Sequence, residues 1–119
     1  MNKQILKNVK SLLKDGEEGS YLMLDLDPYF VQISKSLRAN NACIRAVSNI
    51  HLKPEHHLSP EKDKQMLALG LALDPTNQDY YLEVPNTPDA ADKISVLVEK
   101  VFEVYGVNPF KVEIDLVID

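Results

Sequence analysis

The sequence predicts an α+β domain: a mainly antiparallel sheet with helices packed on it, in the order α-β-β-β-α-(β)-α-β. Three observations carry this reading. Apolar residues recur at helical spacing in residues 2–14, 60–73 and 90–105. They alternate with a period of two in residues 21–34 and 111–119. The three strand-like runs between residues 21 and 49 are joined by short connections, which suits a three-stranded meander rather than parallel crossovers.

Each element follows from local signals. Ile5, Leu6, Val9, Leu12 and Leu13 form the apolar face of a first helix, and Gly16 is its natural stop. In YLMLDLD, Leu22, Leu24 and Leu26 share one face; in YFVQISKS, Tyr29, Val31 and Ile33 do. Asp27-Pro28 is the turn between them. Asn40-Asn41 introduces a third strand, in which Ile44 and Ala46 alternate with Cys43, Arg45 and Val47. Ser59-Pro60-Glu61 is a helix start, with a hydroxyl cap, a proline in the first turn and an acid near the positive end of the dipole. This helix is expected to reach about Leu73, with Met66, Leu67, Leu69 and Leu73 inward and Asp74-Pro75 ending it. Residues 80–84 (YYLEV) form a short strand. Thr87-Pro88-Asp89 opens a last helix with the stripe Ala91, Ile94, Leu97, Val98, Val101 and Tyr105, closed by Gly106 and Pro109. The final strand turns Val112, Ile114, Leu116 and Ile118 inward and Glu113 and Asp115 outward.

With the apolar sides aligned on one core, the opposite sheet face carries Tyr21, Met23, Asp25, Phe30, Gln32, Ser34, Cys43, Arg45 and Val47. That mixture is too polar for a core, yet Met23 and Phe30 gain nothing from water. Two covers suit it: a partner protein, or the N-terminal helix.

Composition bounds the function. At 119 residues the chain fits a single domain spanning 1–119. Its hydrophobic content of 45% and charged content of 26% are those of a globule. No apolar run approaches the roughly 20 residues of a membrane span, and the charged start has no signal-peptide core, so neither a membrane nor a secretory route is expected. A net charge of −5 argues against nucleic acid. Lys3, Lys7, Lys10 and Lys14 form a basic stripe on the first helix, leaving the remaining chain with nine basic residues against eighteen acidic. The lone Cys43 suits a reducing cytoplasm and reads as a small hydrophobe.

Catalytic and metal signals are weak. HLKPEHH holds all three histidines, His51, His56 and His57, but their spacing lacks the i, i+4 geometry that brings ligands to one zinc ion. Asp25-Leu26-Asp27 at a strand end resembles the first motif of haloacid-dehalogenase-type phosphotransferases, in which the first aspartate attacks phosphorus. That motif needs a parallel sheet and an arriving helix, whereas Pro28-Tyr29 leads into another strand. No catalytic residue, metal or cofactor is therefore expected.

YFVQISKS, RAVSNIHL, the Ser-Pro-Glu helix reaching Leu69-Gly70, and Asp74-Pro75 with Asn77 together resemble the TY-Chap family of YbjN-type proteins, which are similar to type III secretion chaperones. The resemblance runs from Tyr21 to about Gly106 and agrees with the element order. It implies a non-enzymatic cytoplasmic module that binds an extended segment of a client protein, and it implies a homodimer. The candidate contact residues are Tyr21, Met23, Phe30, Gln32, Arg45 and Val47. The alternative function is a structural interaction protein, either an obligate subunit or a toxin-neutralising partner, without chaperone activity.

Overall fold

A computed structural model describes residues 2–36 and 40–119. Among them, the elements are α1 (Lys3–Asp15), β1 (Tyr21–Leu26), β2 (Tyr29–Ser36), β3 (Asn41–Ala46), α2 (Pro60–Ala68), β4 (Ala72–Leu73), β5 (Tyr80–Pro85), α3 (Ala90–Tyr105) and β6 (Glu113–Val117). The strands form one six-stranded sheet in the order β4-β5-β3-β2-β1-β6, every neighbouring pair antiparallel. The α+β class and the meander of β1, β2 and β3 are as the sequence predicts.

All three helices contribute to one core. Ile5, Val9 and Leu12 of α1, Met66 of α2, and Ile94, Val98, Val101 and Phe102 of α3 are sealed from solvent together with Leu22, Leu24, Val31, Ile33 and Ile44 of the sheet. The cover is one-sided because each strand alternates: one set, such as Leu22 and Leu24 of β1 and Val31 and Ile33 of β2, points at the helices, and the residues between them point away. The N-terminal helix therefore lies on the core side, and among the described residues none of α1, α2 and α3 covers the opposite face.

The helix ends show why the elements stop where they do. Asn2 begins α1, its side-chain oxygen accepting from the Gln4 and Ile5 amides at 2.9 and 3.2 Å. Lys35 closes the other end, its ammonium donating to the Leu13 and Gly16 carbonyls at 2.8 and 3.2 Å, where the helix dipole is negative. Gly16 is required by close approach: a Cβ there would stand 2.5 Å from the Leu12 carbonyl oxygen. Ser59 caps α2 through the Lys62 amide at 3.2 Å.

Two expectations are corrected here. The second helix ends at Ala68 rather than near Leu73. Gly70 adopts a left-handed φ of 98°, which turns the chain back, buries Leu71 and lets Ala72 and Leu73 pair with Tyr81 and Tyr80 as β4. Leu73 consequently points to solvent, 52% exposed, instead of inward; Leu67, which follows the inward Met66 within α2, is on the outer side of the helix and 48% exposed. Ile118 lies beyond β6 and is also exposed.

Candidate functional site

The open face of the sheet is built by strand pairing. Met23 of β1 stands between Asp115 of β6 and Gln32 of β2; Gln32 is followed across the sheet by Arg45 of β3 and Tyr81 of β5. The row on one side of it runs Val117, Tyr21, Ser34, Cys43, Glu83, and the row on the other side begins Glu113, Asp25, Phe30. Tyr21, Met23, Phe30, Gln32 and Arg45 are thus brought onto one surface, each half-buried.

Val47 is not part of it. It lies past the end of β3 and is 2% exposed, within the core. The strand alternation that placed it outward ends at Ala46, where the chain leaves the sheet. Its amide donates to the Phe30 carbonyl at 3.2 Å and its carbonyl accepts from the Tyr105 hydroxyl at 2.6 Å, so both backbone groups are held inside.

The remaining candidates divide by what they touch. Phe30 packs partly against the core, whereas Tyr21 and Met23 do not belong to it. Arg45 is committed within the molecule: its guanidinium pairs with Asp74 at 3.0 Å and lies 4.8 Å from the centre of the Tyr81 ring. The Thr76 amide, and then Arg45, hold the Asp74 carboxyl below the usual aspartate range. The Tyr81 hydroxyl donates to Glu83 at 2.7 Å and lies 3.5 Å from the Cys43 sulfur. Burial, followed by these contacts, pushes its hydroxyl pKa upward. Cys43 is half-buried beside Tyr81 and Glu83.

With Arg45 engaged by Asp74, the face is electronegative: Asp25, Glu83, Glu113 and Asp115 stand on it beside the apolar patch of Tyr21, Met23 and Val117. Val117, Tyr81 and Glu83 were not singled out from sequence, because their places depend on β6 lying against β1 and β5 against β3. The signal available was parity alone: Val117 shares the outward phase of Glu113 and Asp115.

The histidines serve three different places. His51 Nε2 lies 2.9 Å from the Asn77 carbonyl oxygen and 3.5 Å from Asp79 Oδ1. His57 Nε2 lies 2.9 Å from the Leu52 carbonyl oxygen. A carbonyl only accepts, so both rings place a hydrogen on Nε2 there. His56 meets the Tyr29 ring edge-on at 6.3 Å. Among the described residues, no group of three or more His, Cys, Asp or Glu side chains is arranged to hold a metal ion. Asp25 sits in an antiparallel hairpin, with β2 beginning two residues after β1 ends.

A groove of about 530 Å³ lies on the helical side, lined by Ala68, Leu69, Val96 and Leu97, with Asp92, Lys93 and Lys100 also at it. No described helix is long and apolar enough to cross a membrane.

Comparison with known proteins returns no match: no family model, no curated protein and no solved structure is similar enough to place the chain.

Proposed function

We propose that this protein is a non-enzymatic, cytoplasmic binding module that receives an extended segment of a partner protein on the open face of its sheet, with chaperone-like action on that partner. One observation supports the reading: α1, α2 and α3 all pack on the other side, which leaves Tyr21 and Met23 only half-buried beside Val117. Burying one such side chain against a partner contributes ~1.5–3 kcal/mol, enough to decide an affinity. The electronegative surround favours a client with basic or neutral flanks. The resemblance to secretion-chaperone-like proteins points the same way.

The alternative, an obligate subunit or toxin-neutralising partner, draws on a different observation: the apolar groove beside α2 and α3, with Leu67 48% and Val96 37% exposed. A homodimer would draw on the same groove.

A photo-crosslinking amino acid placed at Met23 or at the exposed Leu67 in cells tests the two surfaces separately. Met23 lies on the open face and Leu67 on α2. Intermolecular crosslinks from Met23 to a segment of another protein are expected. Partners that crosslink through Leu67, with Met23 silent, would favour the alternative.

A further inference from the structure

We propose that the partner, besides covering the open face, adds a strand along the free edge of β6, with lysine or arginine at every second position of that strand. This deepens the binding reading above and rests on it.

The argument begins with the unfinished edge. β6 ends the sheet, pairing with β1 on one side and with no described strand on the other. Roughly half of its backbone N–H and C=O groups point away from β1, a ready template for another chain. The core also stops short there. Leu22 and Leu24 of β1 are fully buried, yet their register partners on β6, Leu116 and Ile114, are only half-buried. A strand laid against β6 would cover both with its own core-side residues.

The open-side residues of β6 set the chemistry of the newcomer. Glu113 and Asp115 both point there, and Glu113 stands directly opposite Asp25. No ion pair found among the described residues involves any of these three carboxylates. They converge on no metal site either. Like charges directly opposed across a sheet are destabilising, and opposite charges are stabilising. A strand with cationic residues facing Glu113 and Asp115, and apolar residues facing Ile114 and Leu116, satisfies every position of the edge.

The same charges reject a second copy of the chain. Antiparallel pairing of two β6 strands centred on Ile114 opposes Glu113 to Asp115 twice. Pairing centred on Asp115 opposes Asp115 to itself, and pairing centred on Glu113 opposes Glu113 to itself. A cationic strand is accepted where a twin is repelled.

The test uses a short synthetic peptide alternating lysine with valine, and the same peptide with glutamate in place of lysine, titrated into isotope-labelled full-length protein by NMR. The lysine peptide is expected to shift the amides of residues 113–117 and the glutamate peptide to leave them in place. Glu113→Lys with Asp115→Lys, checked for unchanged amide dispersion elsewhere, should weaken the lysine peptide about tenfold and admit the glutamate peptide. Equal response to both peptides, no response at 113–117, or self-association through β6 in the absence of peptide would each overturn the assignment. Its failure is separable from that of the binding reading: Met23 crosslinks to a partner, with β6 indifferent to lysine, would leave the reading standing and remove the edge.

Discussion

Glu113 and Asp25 oppose each other across the β6–β1 pair, two carboxylates in register, neither of them in an ion pair found among the described residues. A purely structural sheet gains nothing from that arrangement, which costs on the order of 0.2–1 kcal/mol. Glu113→Lys should therefore raise the thermal midpoint by roughly 1–4 °C at low salt. The gain should shrink as salt screens the pair. A midpoint that stays level or falls at low salt would mean that the opposed acids carry no local strain.

The Tyr105 hydroxyl ties the last turn of α3 to the point where β3 leaves the sheet, through the Val47 carbonyl. Tyr105→Phe keeps the ring stacked 4.5 Å from Tyr29 and removes only the donor. A buried carbonyl left unpaired costs ~1–3 kcal/mol, so urea denaturation should show a loss of about that size. A loss below ~0.5 kcal/mol would indicate that another donor takes over.

Asp74 gives a pH signature. Its carboxyl is held low first by the Thr76 amide and then by Arg45. Because the folded value lies below the ordinary 3.8, the stability it contributes is complete above that value. It is lost as the pH falls through the lowered one. In Arg45→Gln the Asp74 carbon resonance should titrate at higher pH than in the parent, yet still below an ordinary aspartate, because the Thr76 bond remains. Titration at the ordinary value would assign the whole effect to Arg45.

The legible parts of this fold are those written in short-range periodicity. The β1–β2 hairpin, β3 and the α3 stripe follow from alternation and helical spacing, each over a dozen residues or fewer of local pattern. Sequence also separated the two sheet faces. It went wrong where a single backbone residue overrides the pattern. Gly70 turns the chain after α2 and sends Leu73 outward. The departure of the chain after Ala46 draws Val47 into the core.

Non-local pairing was the other blind spot. Nothing near Asp115 in the chain says that it will stand beside Met23, and nothing near Arg45 announces Asp74 and Tyr81 as its partners. The site was therefore half legible: Tyr21, Met23, Phe30, Gln32 and Arg45 lie on the open face, but its acidic edge and the engagement of Arg45 required the sheet order.

The most direct test of the account is a paired measurement on Met23→Ser, with Leu24→Ser as the comparison one residue along the same strand. Leu24 is fully buried and its variant should unfold at a midpoint many degrees lower. Met23→Ser should keep its midpoint within about 2 °C, because a surface substitution off the core changes stability little. Its affinity for the protein that crosslinks to Met23 should fall roughly 10- to 100-fold, as expected for the loss of one buried apolar side chain. A midpoint that drops as far as that of Leu24→Ser, or an unchanged affinity, would contradict the claim that this face is kept open for a partner.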